Sequence, residues 1–291
     1  MRAVLAPPRT IRQALEQARR QLRSAPFDPS PREAALLLGH LLGANEASVL
    51  ARYEEAFDPA LDRSYVALME RRLAGEPVAY LLAEKEFYGR TFSVDRRVLV
   101  PRPETEHLVE EALRLRLPRN PRILDIGTGS GCVALTLALE RPDSTLVASD
   151  ISPAALAVAA ANRRRLGLEG RVALVAMDVA RAAKLADFDL VISNPPYIDP
   201  ADEPGLSPEV TAFEPLRALF AGRRGTSTAR RLLAELEALR PGGHLLMEIG
   251  AGQREALLEA GRNSTFEYVS SADDYAGIPR VLCFEQRADS D

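Results

Sequence analysis

Short apolar runs alternate with longer amphipathic stretches from about residue 122 onward. A short continuous apolar run is typical of a buried strand, whereas apolar residues at helical spacing indicate a helix. Strands that alternate with helices predict a mostly parallel sheet covered by helices on both faces, so we expect an α/β fold. The turn Gly277–Arg280 precedes a last strand, which we expect to be an antiparallel edge strand. The predicted strands are residues 122–126, 145–149, 172–176, 188–193, 244–249 and 281–286.

The first part of the chain has helical periodicity. Residues 1–75 contain no glycine-rich loop and no cluster of titratable residues, so we predict a small helical bundle that docks the substrate. Residues that cap or begin helices divide the segment. The predicted helices begin at Thr10, at Ser30–Pro31, at Glu46 and at Ala60, and the second stops near Gly43.

Between residues 76 and 106 the helical periodicity gives way to a strand pattern. We interpret this segment as a linker built on a β-hairpin. Residues 86–94 predict the hairpin, and Arg97–Val100 predicts a further strand. Two prolines then bracket Arg102 in the segment Pro101–Glu106. This segment is either a stiff spacer or one wall of an active site, and both interpretations stay open. A catalytic domain is expected over residues 107–291.

Composition narrows the functional classes. The 291 residues are 46% hydrophobic and 27% charged, as in an ordinary globular protein. The net charge of −4 argues against a broad, sequence-independent grip on nucleic acid, which needs many phosphate contacts. No apolar run is long enough to span a membrane, and residues 1–10 lack a signal-peptide core, so we expect a cytoplasmic protein. Two cysteines and three scattered histidines predict neither a disulfide framework nor a metal site.

A glycine-rich loop, Gly127–Gly131, joins the first predicted strand to an apolar helix. Such a loop lets the backbone approach a ligand, and the helix N-terminus offers free N–H groups. A dinucleotide fingerprint needs glycine at the sixth position, where this chain has Cys132, which we expect to be a small buried residue. Asp150 ends the next strand and is placed to accept ribose hydroxyls. S-adenosylmethionine fits this combination.

The tetrapeptide Asn194–Tyr197, of sequence NPPY, follows the fourth predicted strand. The Asn194 side chain and the Pro195 carbonyl can accept the two N–H bonds of a planar amide, and Tyr197 can lie against its face. Both prolines hold the backbone because their φ is fixed. The alternative is a plain strand-to-loop turn, since Asn-Pro pairs mark turns. The glycine loop, Asp150 and the tetrapeptide, in this order, favour methyl transfer to a nitrogen.

These residues resemble the HemK-type release factor glutamine N5-methyltransferases. The resemblance extends over nearly the whole chain, and PRPETE together with NPPY is its most specific part. The matching blocks are GEPVAY (75–80), EFYGRTF (86–92), VLVPRPETEHLVEEAL (98–113), LDIGTGSGCVAL (124–135), SDISPAAL (149–156), SNPPYI (193–198), PGGHLLMEIG (241–250) and AGIPRVL (276–282).

The resemblance implies a helical bundle, a hairpin linker and a seven-stranded, Rossmann-like Class I methyltransferase domain. It implies methyl transfer from S-adenosylmethionine to the glutamine of the Gly-Gly-Gln motif in class 1 peptide chain release factors. Asn194 and Pro195 are the implied catalytic residues, and they bind substrate together with Pro196 and Tyr197. The implied cofactor residues are Gly127, Thr128, Gly129, Ser130, Gly131, Asp150, Ile151, Asp178, Val179 and Asn194.

The sequence departs from the family pattern at two places, and three other functions remain as alternatives. Ala83 stands where the family usually has glycine, and residues 222–227 replace an acidic residue followed by Gly-Leu. The second departure lies on an expected surface loop, so it bears on partner contacts. The main alternative is an adenine-N6 methyltransferase on DNA or RNA, which would have to flip a base and grip phosphates. An NAD-dependent oxidoreductase and a catalytically silent binding module are the others.

Overall fold

A computed structural model describes residues 9–181 and 184–288. The helices are α1 (Ile11–Arg23), α2 (Glu33–Leu42), α3 (Glu46–Ala51), α4 (Pro59–Leu73), α5 (Val78–Leu82), α6 (Glu106–Arg114), α7 (Cys132–Glu140), α8 (Pro153–Arg165), α9 (Pro208–Phe213), α10 (Leu216–Leu219), α11 (Ser227–Glu235) and α12 (Arg254–Arg262). The strands are β1 (Glu84–Phe87), β2 (Arg90–Ser93), β3 (Arg122–Ile126), β4 (Thr145–Asp150), β5 (Val172–Ala176), β6 (Leu190–Ser193), β7 (His244–Glu248), β8 (Phe266–Asp273) and β9 (Pro279–Gln286).

The chain divides into two compact units. One contains residues 9–84 and Ser207–Phe213, and the other contains Lys85–Leu206 and the residues from Glu214 onward. The predicted boundaries at residues 75 and 106 remain predictions, and residues 1–8 and 289–291 of the outer predicted domains lie outside the described part. Among the described residues, no helix has the length and apolar character needed to cross a membrane.

The first unit packs α1 to α5 around an apolar core. Thr10 caps α1 through a capping box with Gln13, as expected from sequence, and Gly43 ends α2 in the left-handed conformation. The Tyr65 hydroxyl donates to the carbonyl of Ala34 over 2.9 Å, which satisfies its polar end inside the core. The four predicted helices are confirmed, although the second begins at Glu33 and not at Ser30–Pro31, and the short helix α5 was not predicted.

Arg72 is the most deeply buried charge of this unit, at 1% exposed. Its guanidinium donates to Glu33 over 2.7 Å and to Glu209 of α9, and it stacks on the Phe27 ring at 4.1 Å. A buried cation is tolerated when it is paired and hydrogen-bonded in this way. These contacts attach α9, which follows the NPPY segment in sequence, to the helices of the first unit.

The second unit contains a seven-stranded sheet in the order β5-β4-β3-β6-β7-β9-β8. Strands β3 to β7 pair in parallel, whereas β9 pairs antiparallel with both β7 and β8. The α/β class, the six strands predicted from the residues and the antiparallel strand at the end of the chain are confirmed. The prediction that this last strand forms the edge is wrong, because β8 lies outside it. Strand β8 was missed because its residues are mostly exposed or half-buried and form no apolar run.

Of the two predictions made for the linker, the hairpin is confirmed and the further strand is wrong. Strands β1 and β2 form a two-stranded sheet around Tyr88 and Gly89, as the sequence predicts. The predicted strand Arg97–Val100 is wrong, because this segment is a turn followed by irregular chain. Val98 and Val100 are buried there although the segment is not a strand, so their apolar character reflects packing.

Ala83, which stands where the family usually has glycine, adopts a backbone conformation that favours glycine. It ends α5 with φ +57°, in the left-handed region where glycine is favoured. An alanine in this conformation carries backbone strain because its Cβ approaches the neighbouring carbonyl oxygen. Ala74 ends α4 with φ −74°, which any residue adopts without strain.

We expect Ala83→Gly to stabilise the first unit by about 0.5–1 kcal/mol, since relief of left-handed strain exceeds the entropy that glycine adds to the unfolded chain. Ala74→Gly is the matched control and should destabilise by a similar amount, because no strain is relieved there. The shift of the urea midpoint measures both. Equal destabilisation by the two substitutions would contradict the strain at Ala83.

Candidate active site

The candidate site lies where parallel strands end. Gly127 follows β3, Asp150 ends β4, and Asn194 follows β6, so all three stand at one edge of the sheet. Ligands of open α/β sheets bind beyond this carboxyl edge. Asp178, two residues beyond the end of β5, completes the row of predicted residues. The parallel pairing therefore brings together the strand ends that carry the predicted site.

The glycine loop turns sharply between β3 and α7. Gly127, Gly129 and Gly131 all have positive φ, at +76°, +56° and +83°. A Cβ on Gly129 would meet nothing within 4 Å, whereas a Cβ on Gly131 would lie 3.0 Å from Leu135 Cδ1. Gly131 is therefore needed for helix packing, while Gly129 borders open space in which a ligand can approach the backbone.

The Asp150 carboxylate is held by backbone N–H groups. Gly129 N donates to Oδ2 over 3.0 Å and Ser152 N donates to Oδ1 over 2.8 Å. Each carboxylate oxygen keeps further acceptor capacity, so both can still receive hydroxyl groups. Ile151, the next residue, is 45% exposed, which is unusual for so apolar a side chain. The two residues offer one polar and one apolar contact at the same edge.

Asp178 and Val179 differ from the other predicted cofactor residues. The Asp178 carboxylate accepts from Arg231 Nη1 over 2.8 Å, and this hydrogen bond lowers its pKa. Val179 has φ +52°, which is rare for a β-branched residue and marks a strained backbone. The Asp178 side chain is thus paired with Arg231 at a partly exposed position.

Buried polar groups underlie the loop. Asp125 is 2% exposed and accepts from the Thr128 hydroxyl over 2.6 Å. Burial raises the pKa of Asp125 to about 7, while the Thr128 hydrogen bond acts in the opposite direction. Burial also raises the pKa of the Cys132 thiol to about 12, so this cysteine stays protonated at neutral pH. It is a small buried residue, as the sequence predicts, and the Ser130 side chain is buried beside it.

The NPPY segment is fixed at its first residue by side-chain hydrogen bonds. The Ser193 hydroxyl donates to the carbonyl of Ile126 over 2.8 Å, which ties β6 to β3. Asn194 Nδ2 donates to Thr105 Oγ1 over 3.0 Å. Pro195 is buried, whereas Asn194, Pro196 and Tyr197 are half-buried. Within the described residues, no hydrogen bond reaches Asn194 Oδ1 or the Pro195 carbonyl, so both acceptors are available.

The end of the segment is held through its backbone. Gln253 Nε2 donates to the carbonyl of Tyr197 over 2.7 Å, and Gly250 N donates back to Gln253 Oε1 over 3.0 Å. A Cβ on Gly225 would lie 2.0 Å from the same carbonyl oxygen, so only glycine fits there. The loop at residues 222–227, expected to be a surface loop near the mouth of the site, thus packs directly on Tyr197.

Glu248 ends β7 beside this segment and is 1% exposed. Burial raises its pKa to about 7, and hydrogen bonding by the Thr105 and Tyr197 hydroxyls acts in the opposite direction. Burial, and after it the charge of Glu248, raise the pKa of the Tyr197 phenol to about 12. The phenol is therefore neutral across the physiological range.

Sequence reasoning missed the supporting residues Thr105, Glu214, Gln253 and Glu248. Glu214 is buried and accepts from Arg102 Nη2 over 2.5 Å, which fixes the segment Pro101–Glu106. The contact of Thr105 with Asn194 supports the interpretation of this segment as a wall of the site. A polar residue inside an otherwise apolar strand end was the available signal for Glu248, and none was available for Gln253.

Two sequence families match parts of the chain. The family described as the PrmC N-terminal domain matches residues 13–82, and the methyltransferase small domain matches residues 105–206. Among solved structures, a methyltransferase from Pyrococcus furiosus is similar with a TM-score of 0.52 and 18% identity, covering 75% of this chain and 98% of that one. At this identity the likeness shows the fold alone.

Full-length relatives are more informative. A release factor glutamine methyltransferase of Nitratidesulfovibrio vulgaris is 40% identical over 94% of this chain and 94% of its own length. The enzyme of the same name from Koribacter versatilis is 42% identical over 94% of this chain and 97% of its own. Similarity of this extent, with both family matches in the same order, identifies the chain as a member of the release factor glutamine methyltransferase family.

Proposed function

We propose that this protein transfers a methyl group from S-adenosylmethionine to the side-chain amide nitrogen of the glutamine in the Gly-Gly-Gln motif of class 1 peptide chain release factors. The observation that carries the proposal is the NPPY segment at the carboxyl edge of the sheet, whose two carbonyl acceptors receive no hydrogen bond from any described residue. The names of the relatives support the substrate. We also propose that the reaction takes place in the cytoplasm, where translation is terminated.

The residues present fit the cofactor. Open space over Gly129 leaves room for a ligand against the loop backbone. Asp150 keeps acceptor capacity for the ribose hydroxyls, and the exposed Ile151 offers an apolar surface for the adenine. We propose that residues Gly127 to Gly131 hold the methionine part and that the backbone of Asp178 and Val179 flanks the adenine.

S-adenosylmethionine, when bound, supplies a methyl group activated by its sulfonium. The protein's part is to hold the acceptor amide. Asn194 Oδ1 and the Pro195 carbonyl accept its two N–H bonds from one side, and Pro196 and Tyr197 complete the amide site. Such a clamp leaves the opposite side of the nitrogen directed toward the donor.

Positioning has to supply much of the rate, because an amide nitrogen is a poor nucleophile. Favourable alignment of two reactants can lower a barrier by roughly 7–11 kcal/mol. The acceptors Asn194 and Pro195 also bind more strongly as the nitrogen gains positive charge, which stabilises the transition state selectively. The tetrapeptide contains no group that titrates near neutrality, in keeping with loss of the proton after attack.

The alternative acceptor, an adenine amine in DNA or RNA, would fit the same tetrapeptide. Three observations favour a protein substrate: the net charge of −4, the match of residues 13–82 to the PrmC N-terminal domain, and the names of the full-length relatives. We propose that residues 1–75 dock the release factor, that residues 76–106 link this bundle to the catalytic domain, and that stable nucleic-acid binding is not required.

Incubation with a class 1 release factor and methyl-labelled cofactor tests the proposal. Mass spectrometry is expected to place the label on the glutamine of Gly-Gly-Gln, and a release factor with asparagine in its place should stay unlabelled. Label on adenine in added DNA or RNA, with none on the release factor, would favour the alternative.

Asn194→Ala should lower kcat by about 10²–10³-fold, the loss typical when one preorganised hydrogen-bonding group is removed. The Kd of S-adenosylmethionine should change far less, because the rest of its site is intact. Asn263→Ala, an exposed substitution at the end of α12, is the control and should leave both values unchanged. Turnover equal to wild type at saturating cofactor would remove Asn194 from its proposed role.

Gly129→Ala should raise the Kd of S-adenosylmethionine by about tenfold, because a methyl group would enter the space proposed for the ligand and backbone strain would rise. Gly43→Ala is the matched control, since Gly43 has φ +58° and an equally open surrounding but lies in the first unit. Titration calorimetry measures both. Equal cofactor affinity in the two variants would argue against the loop as the cofactor site.

A further inference from the structure

Glu248 is a buried carboxylate with no part in the reaction proposed above. It is 1% exposed, and its Oε2 atom has no hydrogen-bond partner among the described residues. An incompletely paired buried carboxylate is costly, so its presence calls for a cause. Strands β6 and β7 pair with Ser193 opposite Met247, which places Glu248 beside Asn194 at the carboxyl edge.

Two hydroxyl groups of the amide site converge on this carboxylate. The Thr105 and Tyr197 hydroxyls lie close enough to Glu248 to lower its pKa. Thr105 is 3% exposed and accepts from Asn194 Nδ2 over 3.0 Å. A continuous set of contacts therefore runs from Glu248 through the Thr105 hydroxyl to the Asn194 carboxamide.

The direction of these hydrogen bonds determines which end of Asn194 faces Thr105. An ionised carboxylate only accepts, and a hydroxyl has a single proton to donate. When the Thr105 proton is directed to Glu248, the Thr105 oxygen can only accept from Asn194. Nδ2 is then the end held by Thr105, and Oδ1 is left for the substrate. A flipped Asn194 would present N–H groups to the N–H groups of the target amide.

We infer that Glu248, acting through Thr105, is a positioning residue that fixes the Asn194 carboxamide with Oδ1 toward the target amide. The inference rests on the proposed function, because it assigns a cause to the orientation that the amide clamp requires. It concerns a residue outside the NPPY segment and outside the glycine loop.

The ionisation state of Glu248 gives a second expectation. Its pKa is raised to about 7, chiefly by burial and also by the charge of Glu104, against the lowering effect of the Thr105 and Tyr197 hydroxyls and the charge of Arg280. A protonated Glu248 would no longer compel Thr105 to donate to it, so orientation of Asn194 should weaken as pH falls below this value. Turnover should therefore rise with pH through the neutral range.

A double-mutant cycle tests the inference, with single-turnover rates measured at saturating cofactor and release factor. Glu248→Gln should lower the rate by about 10²-fold in the wild-type background, the scale of loss when a reacting group is misplaced. In the Asn194→Ala background the same change should lower the rate less than about twofold, because no carboxamide is left to orient. Equal losses in both backgrounds would overturn the inference.

The Thr105 side chain provides a second route if Glu248→Gln does not fold. Thr105→Val keeps the shape without the hydroxyl and should lower the rate comparably, while Thr105→Ser should restore most of it. Glu285→Gln, opposite His244 at the other end of β7, is the matched control and should not change the rate. Serine failing to perform better than valine would contradict a role for the hydroxyl.

The ratio of wild-type turnover to Glu248→Gln turnover, measured against pH, separates the titration of Glu248 from that of other groups. The pKa of Asp125 is also raised to about 7, but Asp125 is present in both proteins and cancels in the ratio. The ratio should rise with pH and level off above neutrality, and a flat ratio would contradict the inference. Wild-type protein that labels no glutamine would contradict the proposed function itself, whereas glutamine labelling with additive losses would contradict only the role of Glu248.

Discussion

The parallel pairing of β3, β6 and β7 is the constraint on which the site depends. Ile126 lies opposite Ser193, and Ser193 lies opposite Met247, so the residues that follow these strands emerge side by side. A slip of one residue would turn each strand-end side chain to the other face of the sheet. The Ser193 hydroxyl, bonded to the carbonyl of Ile126, supports this register from within the core.

The NPPY segment is held in place by side chains from outside it. Thr105 engages one end of the Asn194 side chain, and Gln253 binds the backbone at Tyr197. Between them, the rings of Pro195 and Pro196 fix two φ angles of the segment. Rigid supports of this kind let a reaction with a weak nucleophile rely on geometry.

The sequence predicted what local chemistry determines and missed what tertiary packing determines. Thr10 and Gly43 were found because caps act on their own helices. Arg97–Val100 was wrong because burial without pairing gives the same apolar pattern as a strand, and β8 was missed because its side chains are largely exposed. The glycine loop, Asp150 and the tetrapeptide were each predicted to stand at a strand end, and they stand at the ends of β3, β4 and β6. Supporting residues such as Gln253 lie far from the NPPY segment in sequence, so no motif or spacing predicts their contacts.

Gly225 packs against the Tyr197 carbonyl, and this contact constrains one position of its loop but not the neighbouring positions. Gly225 is buried and admits no side chain, while its neighbours Arg223 and Arg224 are exposed. The exposed side chains at positions 223 and 224 can therefore change without occupying the space against the Tyr197 carbonyl, whereas any side chain at position 225 would occupy it.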